Sequence, residues 1–198
     1  MSQEKQLQKD YGSVKRAEKF YNNQQIDHLN DMMIQFISNQ EIMFIATSDN
    51  EGNCDNSIRA GKKGFISVIN EKTLLYPEYR GNGVYASLGN IVENPHIGIL
   101  LVDFLNTTIG LHINGQAEII DTPEGVHDPL AERWVSVTVE EAYIHCSKHI
   151  PLLQKVDKKI HWNTDDQKLK GGNYFEVKKP TEQGSAHQPT TRSESQSE

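Results

Sequence analysis

Between Thr73 and Asp103 the chain sets a strand, a glycine-bearing turn, a short helix and a second strand in immediate succession, and the remaining elements have to be arranged around that series. Thr73 to Tyr76 read as the end of a strand, and Pro77, which has no N–H for a ladder, is expected to stop pairing there. Glu78, Tyr79, Arg80, Gly81, Asn82 and Gly83 supply the turn; its two glycines tolerate positive φ and let the backbone approach a ligand. Val84, Leu88, Ile91 and Val92 then recur at helical spacing, and Asn94 and Pro95 end that helix. Its free N–H groups and the positive end of its dipole stand beside Arg80, Asn82 and Ser87, a combination suited to a phosphate. Gly89 in so short a helix costs about 1 kcal/mol relative to alanine, so a close contact is expected to require it. An ordinary turn and helix on the rim of a β-domain fits the same pattern.

The flanking sequence supplies more strands. Ile26, Leu29, Met33, Ile34 and Ile37 repeat at helical spacing, with a stop at Asn39. Met43 to Ala46 form an apolar run too short for a helix, Asp49 to Gly52 read as a hairpin turn, and a strand from about Cys54 to Arg59 follows. Gly61 to Gly64 turn the chain into a third strand, Phe65 to Ile69. After Pro95 the nearly continuous apolar run from Ile97 to Phe104 predicts a central strand covered on both faces. Leu111 to Ile120 continue the sheet, with Asn114 and Gly115 favouring a bulge over a hairpin turn. Asp121 to Glu132 read as a loop, Val135 to about His145 as the last strand, and Lys148 to Lys159 as a helix despite Pro151. The result is a mainly β (α+β) protein. A polar segment 1–24, docked as one helix at most, precedes a domain over 25–179, and a Gln, Ser, Thr and Glu tail over 180–198 is expected to be disordered.

Composition narrows the function. A chain of 198 residues, 36% hydrophobic, holds one ordinary core, and a net charge of −7 without a dense Lys/Arg stretch argues against a nucleic-acid partner. No run of about 20 apolar residues is present, which argues against a membrane span, and the polar start with only two cysteines, Cys54 and Cys146, in no metal-binding spacing fits a reduced cytoplasmic compartment. Arg59, ending a strand just before Gly61, could grip a phosphate with a planar, doubly donating guanidinium or could be a surface arginine. His145 and Cys146 look like a catalytic thiol pair, but neighbours on a strand point to opposite faces and cannot readily share a proton.

Taken as an ordered set, Arg59-Ala60-Gly61, Gly64-Phe65, Tyr79-Arg80-Gly81-Asn82, Ser87-Leu88-Gly89-Asn90 and Asn94-Pro95 resemble the pyridoxamine 5′-phosphate oxidase-like FMN-binding split-barrel family. Tyr143-Ile144-His145-Cys146-Ser147-Lys148 is similar to the C-terminal signature of one branch of it. The resemblance covers about residues 41–151 and implies an antiparallel split β-barrel of six or seven strands with helices outside. It implies a homodimer with FMN at the interface, a state that would also cover the apolar face of the long strands. Arg59 and Gly61 would meet the flavin phosphate or ring edge; Tyr79, Arg80, Gly81, Asn82, Ser87, Leu88 and Asn90 would hold phosphate and ribityl chain, with His145 and Lys148 near the cofactor. At Lys62 and Lys63, where family members often have other residues, the resemblance leaves a cationic contact open. It implies an oxidoreductase acting on a small molecule, with NADH or NADPH as a transient donor because no dinucleotide fingerprint follows a strand. A non-catalytic flavin-binding or storage protein and a haem-binding split barrel are the alternatives. The Arg/His substrate-phosphate signature of the oxidases proper is not found near the C-terminus, so oxidation of that vitamer is not implied.

Overall fold

The computed structural model describes residues 2–177; the tail expected to be disordered, 180–198, lies outside them. The chain divides into two compact units, Met1–Thr164 and Asp165–Glu198. In the second, the described residues form turns, one closed by Leu169 and Lys170 N–H groups on the Asp166 carbonyl.

The first unit contains eight strands: β1 (Gln25–Ile26), β2 (Ile42–Ser48), β3 (Cys54–Ala60), β4 (Ser67–Asn70), β5 (Thr73–Tyr79), β6 (His96–Val102), β7 (Gly110–Ile120) and β8 (Ala131–His145). Four helices flank them, α1 (Gln3–Asp10), α2 (Val14–Gln24), α3 (Asp31–Ser38) and α4 (Ala86–Glu93). Seven strands form one antiparallel sheet in the order β3-β2-β6-β7-β8-β5-β4, with β1 added beside β8. The two ends of that order, β3 and β4, are consecutive in sequence and joined by residues 61–66, so the sheet curls round to bring its edges together. This is an antiparallel split barrel. Alternation along each strand fills its interior: Met43 and Ile45 of β2, Ile97, Ile99 and Leu101 of β6, Leu111 and Ile113 of β7, and Val135, Val137 and Val139 of β8 are all buried.

The bulge expected near Asn114 is present. Asn114 pairs with Glu141 and Gly115 with Val139, leaving Glu140 as the extra residue on β8. Only glycine fits at Gly115, because a Cβ there would lie 2.0 Å from the Thr138 carbonyl oxygen.

Other elements depart from expectation for local reasons. Pro77 does not end β5: it pairs with Trp134, and pairing continues to Tyr79. On the other flank of β5, β4 reaches only from Thr73 to Leu75, so the missing N–H falls where no ladder runs. The polar N-terminus forms two helices where one at most was expected. Ile26 joins β1, and α3 starts only after Asn30, whose side chain accepts from the Met33 N–H as an N-cap. The third strand is shorter than expected, since Phe65 and Ile66 are buried in the turn before it. Strand β6 lies between β2 and β7 but alternates, with Gly98 and Leu100 only partly covered, and the longer β7 and β8 hold the middle of the sheet. The expected helix over 148–159 is absent. A single 3-10 turn, Ser147–His149, is followed by Ile150 in an extended conformation, as the residue before a proline prefers, and the chain then runs over the surface without repeating structure.

Candidate functional site

Strand β3 places Asp55, Ser57 and Arg59 on one face by its two-residue period. That face meets β5 and α4. Arg59 Nε donates to Glu78 Oε1 at 2.7 Å, joining β3 to β5 across the split, and Arg59 Nη1 donates to the Ile58 carbonyl at 3.3 Å. Ser87, in the first turn of α4, donates its hydroxyl to Asp55 Oδ2 at 2.7 Å, and Ser57 donates to the same oxygen at 3.2 Å. Below this layer the hydroxyl of fully buried Tyr76 has no partner among the described residues. Burial, and then the Glu78 charge, push that phenol far above its ordinary range. Glu78 is only 8% exposed. Its burial raises the carboxyl pKa, and the neighbouring Arg59 charge, the Arg59 hydrogen bond and Arg133 pull it back without cancelling the rise.

The glycine-bearing turn is held from behind. Tyr79 donates its hydroxyl to Asp128 at 2.6 Å and meets Trp162 edge-on, with ring centroids 5.4 Å apart. The Arg80 guanidinium lies 3.6 Å from Glu132, and Asn82 Oδ1 accepts from the Val84 N–H at 3.0 Å. Gly83 takes φ +81°, so the turn does use glycine's left-handed freedom. Tyr85, left-handed at φ 58°, precedes α4 without a side-chain cap, and Gly89 N–H is the first to close onto Tyr85. The N–H groups of Ala86, Ser87 and Leu88 are therefore the donors at that helix start.

The buried face of α4 is Ser87, Leu88 and Ile91, whereas Val84 and Val92, expected on it, are exposed. Gly89 has nothing within 4 Å of where its Cβ would be, so no contact inside the described chain requires it. Asn90 donates to Thr47 Oγ1 at 3.1 Å and ties α4 to β2. Gly61 donates its N–H to the Glu41 carbonyl, and a Cβ there would overlap Phe65, so the turn leaving β3 needs glycine.

Two of the expected site residues stand apart. His145 ends β8, where its Nδ1 lies 2.8 Å from Nε2 of His112, and Tyr143 stacks on His112 at 4.7 Å. Burial, then the His145 charge, lower the His112 pKa. Lys148 lies in the exposed turn beyond, and His145 partners His112 rather than the exposed Cys146. The ladder row Ile58, Phe44, Leu100, His112, Tyr143 crosses five strands. Directly paired residues share a face, so His112, Tyr143 and His145 lie on the face of Ile58, and Arg59, next to Ile58 on β3, points to the other face.

Asp55, Ser57, Asp128 and Asn163 were not singled out in the sequence, and Glu78 was read only as part of the turn. The alternation Asp55, Ser57, Arg59 was the available signal, since residues two apart on a strand share a face. Among the described residues no group of three or more His, Cys, Asp or Glu is placed to hold a metal ion, and no helix is long and apolar enough to cross a membrane.

Comparison with known proteins gives the assignment. No curated protein matches. Among solved structures, HupZ of Group A Streptococcus is 21% identical, covers 59% of this chain and 93% of its own, and has a TM-score of 0.45. General Stress Protein 26 of Bacillus anthracis is 14% identical over 56% of this chain and 88% of its own, with a TM-score of 0.40. A general stress protein 26-related protein of Clostridium acetobutylicum, of the pyridoxinephosphate oxidase family, is 15% identical over 59% and 90%, again at 0.40. These scores are low, and the assignment rests on a family model, described as pyridoxamine 5′-phosphate oxidase, that matches residues 29–154 and so spans the whole barrel from α3 to the turn after β8. The chain belongs to the pyridoxamine 5′-phosphate oxidase family.

Proposed function

We propose that the protein binds FMN and works as an oxidoreductase on a small molecule. The observation that carries this reading is the grouping of Arg59, Ser57, Ser87 and the uncapped start of α4 around one layer at the split. The family generally binds flavin. Arg59 is turned by Glu78 through Nε, which leaves Nη2 to donate to a phosphate oxygen; the N–H groups of Ala86, Ser87 and Leu88 add the favourable end of a helix dipole. Asp55 marks the other boundary. Its carboxylate repels a phosphate but accepts from hydroxyls, as it does from Ser57 and Ser87, so it suits the polyol chain of a flavin mononucleotide. A bound flavin supplies hydride and electron transfer, for which NADH or NADPH would serve as transient donor.

His145 lies on the other face of the sheet from Arg59, so the two are not grouped around one ligand in a single copy. In a symmetric homodimer different regions of the two chains can meet, so His145 and Lys148 of one protomer can complete the Arg59 group of the other. Titration of the purified chain with FMN, followed by flavin absorbance and fluorescence quenching, tests the reading. Saturable quenching with FMN tighter than riboflavin supports it; no quenching removes it, and a Soret band in the protein as purified would replace flavin with haem.

A further inference from the structure

The structure assigns Asn163 a positioning role in the turn that begins at Arg80, an inference that rests on the flavin reading above. The last rung of the β5–β8 ladder pairs Tyr79 with Ala131. The next rung would fall between Arg80 and Leu130, and the Asn163 carboxamide occupies it. Asn163 Oδ1 accepts from the Arg80 N–H at 3.0 Å, and its Nδ2 donates to the Leu130 carbonyl at 2.7 Å. A carboxamide presents one acceptor and one donor as a peptide group does, so it satisfies both backbone groups while keeping the two strands from zipping further.

The consequence is where the turn starts. Were Arg80 to pair with Leu130 directly, β5 would extend by one residue and the donors of Gly81, Asn82 and Gly83 would move with it. Residue 163 reaches this position from outside the sheet, delivered by Trp162 packed edge-on against Tyr79. It adopts φ 53°, a left-handed conformation that asparagine tolerates better than other non-glycine residues. Asn163 thus fixes where the turn leaves β5 on its way to the start of α4, whose N–H groups are proposed to face the phosphate, and it does so without touching the ligand.

The experiment compares FMN with riboflavin, which lacks the phosphate, on the full chain. Asn163→Gly keeps the left-handed backbone and removes both hydrogen bonds; Asn163→Asp keeps the acceptor for Arg80 and puts a carboxylate oxygen against the Leu130 carbonyl. Both variants are expected to weaken FMN by about tenfold, the equivalent of roughly 1.4 kcal/mol, with riboflavin changed less than about twofold. Equal losses for the two flavins would mean general damage and would overturn the positioning role, as would a variant that retains the wild-type preference for FMN. Amide exchange at Arg80 provides a readout in the wild type: slow exchange is expected, and fast exchange contradicts the hydrogen bond. Wild-type protein that binds FMN no tighter than riboflavin sinks the phosphate reading itself, a result separable from either variant's behaviour.

Discussion

Replacing Glu78 by glutamine should make the protein more stable, and increasingly so as pH rises. Glu78 and Arg59 form a 2.7 Å pair whose side chains are 10% and 18% exposed. A charged hydrogen bond of this kind contributes about 1.5–3 kcal/mol, but the carboxamide of the substituted side chain would keep an acceptor for Arg59 Nε, so only part of that is lost. Against it stands the desolvation of a nearly buried carboxylate, several kcal/mol in typical cases. The raised pKa decides between them, because it says that the site disfavours the ionised form even with Arg59 present. The sign follows. Between the ordinary glutamate pKa and the raised one, the native protein binds more protons than the unfolded chain, so Glu78's contribution is fully present below the ordinary value and is lost as pH rises through the raised one. Glu78→Gln should therefore match wild type in mild acid and exceed it by on the order of 1 kcal/mol in mild alkali. Arg59→Met, which removes both main influences that hold the carboxyl pKa down, should cost about 3–5 kcal/mol, and adding Glu78→Gln to it should restore most of the loss. Urea denaturation at several pH values measures all four proteins. A Glu78→Gln variant less stable than wild type by about 2 kcal/mol in alkali, or an Arg59→Met variant no less stable than Glu78→Gln, would refute the reasoning.

Gly115→Ala should destabilise by about 3 kcal/mol or more, since its Cβ would meet backbone rather than a movable side chain; a thermal melt within a degree of wild type would contradict the bulge geometry. Asp55→Asn should weaken FMN and riboflavin to the same extent, because the hydroxyls it is proposed to accept are common to both, and a loss confined to FMN would place Asp55 at the phosphate instead. Lowered His112 pKa means that stability should fall as pH drops below the ordinary imidazole range, and a His112→Gln variant, measured by denaturation, should lose that dependence. Sedimentation should show a dimer, and a monomer that still binds FMN tightly would contradict the shared-site proposal.

Patterning made the barrel strands and the Asn114–Gly115 bulge legible, because a two-residue period and an Asn-Gly pair report local backbone needs. Pro77 misled because its meaning depends on how far the neighbouring β4 reaches, which the strand's own sequence does not encode. Glu78 was read as a turn residue; its importance comes from Arg59, 19 positions earlier, once the sheet curls. The valines at 84 and 92 fit helical spacing yet face outward, since packing rather than period chose the buried side of α4. Arg59 and the Tyr79–Asn82 turn are adjacent in space through Glu78, whereas His145 and Lys148 belong to a different region of the sheet, a separation that chain order cannot show.

The split is bridged by an ion pair from β3 to β5, and the 61–66 connection tethers the sheet edges β3 and β4 covalently. Such a seam can breathe without unfolding, because parting it breaks side-chain contacts at the site while the paired strands β2, β6, β7 and β8 stay intact. Any ligand seated there would act as a fastener: amide exchange along β3 should slow on saturation far more than exchange in β7, and the melting temperature should climb with ligand concentration by mass action.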